Sequence, residues 1–136
     1  MTHTTLKTLI ATIVAATIGA AALATPADAG QVSIHLDPKN AKQENALKAG
    51  LTIYAIANAV QDGSIKQLGN NNAAGLAQFG DGNLGIVHQE GDNHSGTLTQ
   101  NGDNNMCGLF QFGDGTTADV VQNGTGEACA TVTFGW

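Results

Sequence analysis

The feature that most constrains the fold is an 11-residue period that runs through the second half of the chain. A Gln occurs every 11 residues, and a Gly stands two residues after each Gln. A seventh unit continues the period, with Thr133 in the Gln place and Gly135 in the Gly place. Because six units keep this phase, the region is a repeat. The repeat glutamines are Gln67, Gln78, Gln89, Gln100, Gln111 and Gln122, and the turn glycines are Gly69, Gly80, Gly91, Gly102, Gly113 and Gly124.

The positions between successive glutamines separate into two faces. The residue four before each Gln is small, from Gly63 to Ala118, as is Cys129 four before Thr133, and the residue two before each Gln is apolar, from Ile65 to Val120. A polar residue stands six before most of the glutamines. These even spacings place the repeating residues on one face of a strand, while the odd positions vary freely. A repeating face must fit a copy of itself, whereas a varying face contacts solvent or a partner.

Short turns of Gly, Asn and Asp separate the predicted strands, and these residues tolerate the positive φ of tight turns. Each 11-residue unit supplies one strand and one turn, so two consecutive units form one coil of the solenoid. Successive coils stack about 4.8 Å apart. The pattern therefore predicts an all-β fold. It is a β-solenoid of about three and a half 22-residue strand-turn-strand repeats over residues 63–136, preceded by an N-terminal helical segment.

The constant face predicts ladders of amide side chains that run along the solenoid axis. A buried amide costs free energy unless it is hydrogen-bonded, and identical amides stacked one strand apart bond to each other. The predicted inward stacking ladder consists of the six repeat glutamines together with Asn72, Asn83 and Asn105.

The composition favours a narrow interior over a conventional core. Only 4% of residues are aromatic and 12% are charged, whereas Gly accounts for 18 of the 136 residues. The chain has 5 Lys and no Arg against 11 acidic residues, and its formal net charge is −6. Because binding to nucleic acid needs clustered Lys or Arg, nucleic acid is not expected as a partner.

Residues 1–29 have the pattern of a secretory signal peptide. Lys7 precedes an apolar run over residues 8–24, and the ADA sequence at 27–29 is an A-x-A cleavage site. The alternative is a membrane anchor, for which the run is marginal in length. We expect cleavage after Ala29, a secreted chain that starts at Gly30, and no insertion into a membrane.

Residues 30–62 are predicted to form a loop followed by one helix. Asp37 is a suitable N-cap and Pro38 a suitable first helical residue. Apolar residues recur at helical spacing from Leu47 onwards, and the helix is expected to end near Asp62. The alternative is a strand over residues 51–60, because β-branched and aromatic residues occur there.

The segment Gln67-x-Gly69-x-x-Asn72-x-Ala74-x-x-x-Gln78 resembles the curlin repeat, and the resemblance extends over residues 64–136. It implies an extracellular subunit of curli, the functional amyloid of bacterial biofilms. It also implies export through an outer-membrane secretion pore, assembly from a nucleator subunit, and adhesion. The chain departs from familiar curlins in having fewer repeats and two Cys, and residues 30–62 do not resemble their export segment.

Three groups of polar residues allow more than one interpretation. Cys107 and Cys129 stand one coil apart in the small column, so they form either a disulfide or two buried thiols. Acidic turn residues one coil apart form a charge ladder, a weak calcium site or ordinary turns. His88 and His94 occupy different columns without a catalytic partner, so no enzyme activity, metal or cofactor is predicted. The acidic pairs are Asp81 with Asp103 and Asp92 with Asp114.

The predicted activity is polymerisation, because a solenoid with uncapped ends presents unpaired strand edges. The sequence shows no capping element at the C-terminus, and the N-terminal helix could cap one end. The alternative function is that of a soluble, monomeric β-solenoid that binds calcium, glycan or ice on its flat variable face.

Overall fold

The computed structural model describes residues 23–24 and 30–136, so most of the predicted signal peptide and its cleavage site lie outside the described residues. The elements, in chain order, are β1 (Leu23–Ala24), β2 (Gln31–Leu36), α1 (Ala41–Ala57), β3 (Gly63–Leu68), β4 (Ala73–Phe79), β5 (Leu84–Asp92), β6 (Ser95–Asn101), β7 (Met106–Asp114), β8 (Thr117–Asn123) and β9 (Ala128–Gly135).

Seven of these strands, β3 to β9, form a β-solenoid of about three turns. Odd-numbered strands from β3 to β9 pair in parallel in one sheet, here called the long sheet, and β4, β6 and β8 pair in parallel in the short sheet. Each strand pairs with the strand one coil further along the chain, so that Gln67 lies beside Gln89 and Gln78 beside Gln100. The predicted fold class and the predicted spacing of the coils are confirmed.

Among the residues that the structure describes, one helix, α1, precedes the solenoid. Its N-cap is Asn40, whose side-chain Oδ1 accepts a hydrogen bond of 3.0 Å from the backbone N–H of Gln43. The predicted N-cap at Asp37 is therefore wrong by three residues, because Asn40 satisfies the first turn instead. The helix continues to Ala57, which excludes the alternative strand over residues 51–60. Within residues 23–24 and 30–136, no helix has the length and apolar content needed to cross a membrane.

Two apolar cores hold the fold together. The inner core lies between the two sheets and contains residues of the constant face, such as Leu98 and Leu109. The outer core lies between α1 and the outer face of the long sheet, where Leu51 and Tyr54 share a cluster with Phe110. The varying face of the long sheet therefore contacts the chain's own helix, and the varying face of the short sheet contacts solvent.

Strand β2 covers one end of the solenoid. It pairs antiparallel with β9, from Gln31 opposite Gly135 to Leu36 opposite Ala130, and β1 pairs with its other edge. The predicted loop at this position and the predicted absence of a cap at the C-terminal end are both wrong. Apolar and polar residues alternate along β2. Leu36 enters the outer core, and the polar residues face the solenoid interior.

Candidate functional site

The glutamines of the long sheet form a hydrogen-bonded ladder. Nε2 of Gln67 donates to Oε1 of Gln89 at 2.9 Å, and Nε2 of Gln89 donates to Oε1 of Gln111 at 2.8 Å. The ladder ends there because Thr133 occupies the next position. Nε2 of Gln111 donates instead to Oγ1 of Thr116 at 2.9 Å.

The short sheet has a second ladder of the same polarity. Nε2 of Gln78 donates to Oε1 of Gln100 at 3.0 Å, and Nε2 of Gln100 donates to Oε1 of Gln122 at 2.9 Å. Nε2 of Gln122 reaches the carbonyl oxygen of Met106 at 3.4 Å. In both ladders the amide N–H groups point toward the C-terminal end, so the N-terminal end presents acceptors and the C-terminal end presents donors.

The second N–H of each interior amide is also satisfied. Gln89 donates to the carbonyl oxygen of Ala73 at 2.8 Å, and Gln100 donates to that of Leu84 at 3.2 Å. Both amides are fully buried, so these bonds remove the cost of desolvating them. They also tie the two sheets together across the interior.

The asparagines predicted to join the ladder bond differently. Oδ1 of Asn83 accepts from the backbone N–H of Asn105 at 2.9 Å, and Nδ2 of Asn83 donates to the carbonyl oxygen of Gly102 at 2.7 Å. Asn72 and Asn105 make the equivalent pairs of bonds. These side chains therefore link each turn to the backbone of the next turn and do not bond to one another.

The turn glycines are required by the stacking of the turns. All six have positive φ, between 95° and 144°, a region that favours glycine. A Cβ atom on Gly91 would lie 1.8 Å from the carbonyl oxygen of Gly113, and one on Gly102 would lie 1.8 Å from that of Gly124. At the first five of these glycines successive turns approach too closely for any side chain, whereas a Cβ atom on Gly124 would lie 2.7 Å from the side chain of Glu127.

The two cysteines lie on adjacent strands of the long sheet. Cys107 and Cys129 pair in register across β7 and β9, with Cα atoms 4.6 Å apart, and form a disulfide. Both side chains are buried in the inner core. The bond joins β9, the last strand of the solenoid, to β7, its neighbour in the long sheet.

The acidic turn residues accept hydrogen bonds from the backbone of the preceding coil. Oδ1 of Asp103 accepts from the N–H of Asp81 at 2.9 Å, and Oδ1 of Asp92 accepts from the N–H of Asn70 at 2.7 Å. Among the described residues, no group of three or more His, Cys, Asp or Glu side chains is placed to hold a metal ion.

A buried polar cluster under α1 was not predicted from the sequence. The Tyr54 hydroxyl lies 2.8 Å from Nδ1 of His88, and Nε2 of His88 lies 3.8 Å from Oε2 of Glu90. Burial raises the pKa of Tyr54 to about 12. The available signal was the varying column, where His88 aligns with Phe110 of the next coil in the same sheet. Phe110 and Val132 in this column are apolar, so the sequence already indicated that another element packs over them.

Strands β3 and β4 form the N-terminal end of the solenoid. Among the described residues, no strand pairs with the outer edge of either one, and no donor reaches Oε1 of Gln67 or Gln78. Ile65 belongs to the inward column, yet it is 45% exposed, and Phe79 is 61% exposed. This surface combines unsatisfied backbone groups, amide acceptors and apolar side chains.

At the C-terminal end, β2 pairs with the last strand of the long sheet, whereas its contact with the short sheet includes the two bonds from Gln31 to the backbone of Thr117. Oγ of Ser33 lies 3.1 Å from Oγ1 of Thr133, and Nδ1 of His35 lies 2.6 Å from Oγ1 of Thr131. The two threonines replace a Gln and an apolar residue of the repeat, so the last strand is adapted to a polar partner. The short sheet ends at β8, and within the described residues no strand pairs with the outer edge of β8.

These features define a tandem-repeat β-solenoid whose coils are joined by glutamine ladders. The family model of the curlin associated repeat matches the chain twice, over residues 62–91 and 80–113. Residues 62–113 therefore consist of curlin associated repeats. Comparison with curated proteins and with solved structures found no significant match.

Proposed function

We propose that the chain is a secreted structural subunit that polymerises into extracellular curli-type amyloid fibres. The observation that carries this proposal is the polarity of the two ladders. One end of the solenoid presents amide acceptors at Gln67 and Gln78, and the other presents the amide donor of Gln122. Two copies stacked end to end would therefore continue the hydrogen-bonding pattern that joins the coils of one copy.

The exposed N-terminal end supports the same proposal. Natural proteins usually protect sheet edges by charge, bulges or a covering element. Here the open edges of β3 and β4 lie beside the exposed apolar side chains of Ile65, Leu68 and Phe79. A second copy would pair with these edges and remove that apolar surface from water.

The remaining parts of the proposal follow from the family. The predicted signal peptide would direct export, an outer-membrane pore would release the chain, and a nucleator subunit would start assembly at the cell surface. The fibres would serve adhesion and the biofilm matrix. The curlin family and the solenoid fold are structural, and the proposal includes no enzymatic step, cofactor or nucleic acid.

The alternative is a monomeric β-solenoid that binds calcium, glycan or ice, and one observation favours it. Strand β2 covers the C-terminal edge of the long sheet, as expected of a solenoid that stays monomeric. The binding surface would be the outer face of the short sheet, where Val121 is 63% exposed.

Incubation of purified residues 30–136 separates the two functions. Thioflavin fluorescence and electron microscopy report fibres, and size-exclusion chromatography reports the monomer. The proposed function predicts a rise in fluorescence with fibres in the micrographs. A monomer that persists at high concentration, and also in the presence of preformed fibres, would support the monomeric binding module instead.

A further inference from the structure

The number of strands in the solenoid determines how one copy can stack on another. Seven strands alternate between two sheets, so the long sheet has one more repeat strand than the short sheet. We infer that consecutive copies in the fibre are related by a half turn about the fibre axis, with β3 of the following copy added to β8. This inference rests on the proposed function.

Stacking without the half turn leaves a gap. If the long sheet of the following copy continued the long sheet of the first, β3 would lie on β9. The strand position next to β8 would then stay vacant, and β4 would lie in the position after it. The vacant position corresponds to a groove of about 300 Å³ beside β8, lined among others by His35, Asp37, Gln122 and Glu127. A half turn fills this position with β3, and both sheets then continue without interruption.

The repeat phase fixes the register of the new pair. Gln67 of the following copy would align with Gln122, Ile65 with Val120, and Gly63 with Ala118, as their places in the 11-residue unit require. Nε2 of Gln122, now 3.4 Å from the carbonyl oxygen of Met106, would donate to Oε1 of Gln67. The acceptor at one end and the donor at the other are both satisfied.

The next strand of the following copy, β4, would then pair with β9 in the place that β2 now occupies. Gln78 would align with Thr133, whose hydroxyl can donate to Oε1 of Gln78. Strand β2 must therefore leave β9. Its departure also frees the backbone of Thr117, the first residue of β8, from its two bonds to the side chain of Gln31.

Charge complementarity favours the same arrangement. Lys66 is the only Lys or Arg of residues 63–136, and it lies on the varying face of β3. The half turn aligns Lys66 with Val121 and places it two positions from Asp119 on the same face of β8, within reach of its long side chain. Without the half turn, Lys66 would align with Val132 of β9, which belongs to the apolar outer core.

Cysteine cross-linking within fibres tests the inference. In the variant Lys66→Cys/Val121→Cys, the half turn puts the two cysteines opposite each other on neighbouring copies, within disulfide range. The matched control Leu68→Cys/Phe134→Cys joins two exposed positions and aligns its cysteines only if β3 pairs with β9, which requires stacking without a half turn. Each single variant controls for random oxidation, and both new cysteines lie on outward faces, away from the buried native disulfide.

The inference predicts that mild oxidation of the first variant's fibres converts most chains to cross-linked dimers and longer multimers on a non-reducing gel. The control fibres should remain monomeric. The reverse pattern, with fibres formed, would overturn the half turn and leave the proposed function intact. Absence of fibres from the wild-type chain would overturn both.

Electron cryomicroscopy of wild-type fibres tests the half turn without any substitution. Seven strands divided between two sheets advance a subunit by about 17 Å along the axis, at about 4.8 Å per strand layer. The inference predicts that the density of α1 alternates between opposite sides of the fibre at this interval. Helix density on one side only would overturn it.

Discussion

The side-chain amide of Gln31 forms two hydrogen bonds with the backbone of Thr117: its Nε2 donates to the carbonyl oxygen at 2.8 Å, and its Oε1 accepts from the N–H at 2.6 Å. Gln31 belongs to β2, which also pairs with β9 from Ala130 to Gly135. Strand β2 therefore blocks the C-terminal edge of the long sheet. Through Gln31 it also blocks the beginning of β8, the strand at the C-terminal edge of the short sheet.

Removal of this strand should accelerate fibre formation. A chain that begins at Asp37 lacks β2 and exposes the C-terminal edges of both sheets, so a second copy can pair without displacing anything. We expect a shorter lag in thioflavin fluorescence than for residues 30–136. The single variant Gln31→Ala keeps the strand but removes the side-chain bonds to Thr117 and Ser33, so it should have an intermediate lag.

Seeding distinguishes ordered growth from non-specific aggregation of the shortened chain, which also loses Leu36 from the outer core. Fibres of the shortened chain should seed the full chain, and fibres of the full chain should seed the shortened chain. An unchanged or longer lag, or a failure of both seeding experiments, would show that β2 does not restrain assembly.

Interior and terminal glutamines should have different effects when replaced. Gln100→Ala removes a fully buried amide and leaves Oε1 of Gln122 without its donor, so the free energy of unfolding should fall by about 1–3 kcal/mol. Gln67→Ala removes an exposed amide at the open end. It should slow fibre elongation and lower the free energy of unfolding less than Gln100→Ala does, because water at the exposed end can replace its bond to Gln89.

Urea denaturation and seeded elongation rates measure these two effects on the same pair of variants. Gln67→Glu is a control of similar size, which keeps an acceptor but removes the donor. Equal elongation rates for Gln67→Ala and wild type would mean that the N-terminal end is not the joining surface.

The disulfide between Cys107 and Cys129 should be present in protein purified without reductant. Titration of the unfolded, unreduced protein should therefore detect no free thiol, and two thiols should appear after reduction. Because the bond closes a loop across one whole coil, its loss should destabilise the fold by roughly 2–4 kcal/mol. Two thiols before reduction would contradict this prediction.

Salt should shorten the lag of fibre formation. The chain carries a net charge of −6, and Asp92 and Asp114 lie in register on neighbouring turns. Raising the ionic strength from about 0.1 M to about 1 M reduces the Debye length from roughly 10 Å to roughly 3 Å, which screens this repulsion. The double variant Asp92→Asn/Asp114→Asn retains hydrogen-bond acceptors and should respond less. A lag independent of salt would refute the charge effect.

Alkaline pH should loosen the contact between α1 and the long sheet. Burial raises the pKa of Tyr54 to about 12, from 10.0 for an exposed tyrosine. As the pH rises from about 10 toward about 12, Tyr54 ionises in the unfolded chain before it ionises in the folded chain. The stability that the buried, neutral side chain contributes is therefore present below about pH 10 and is lost over that window. Because the chain has a single Tyr, absorbance at the tyrosinate band follows this residue alone. An ionisation midpoint near that of an exposed tyrosine would contradict its burial, and Tyr54→Phe should abolish the signal.

The solenoid could be predicted from the sequence because a repeat imposes its own geometry. Residues one coil apart, such as Gln67 and Gln89, must stack when every coil has the same length. The bonding of Asn83 could not be predicted, because its choice between another amide and the backbone depends on how closely the turns approach. Only the stacked backbone shows the carbonyl oxygen of Gly102 at 2.7 Å from Nδ2.

The β2 strand was missed because it stands outside the repeat and is only six residues long. The chain did carry a signal for it in β9, where Thr131 and Thr133 interrupt the apolar and glutamine columns. Their hydroxyls contact His35 and Ser33. A change of residue type at the last unit therefore marks a partner strand, although it does not identify which segment supplies that strand.

The central claim is that the fibre continues the stacking of strands seen within one copy. X-ray diffraction from aligned fibres of residues 30–136 tests it most directly, since strands perpendicular to the fibre axis give a meridional reflection at about 4.8 Å. We predict this reflection, together with an equatorial reflection at about 10 Å from the two packed sheets. Fibres that lack the meridional reflection, or a chain that stays monomeric, would contradict the claim.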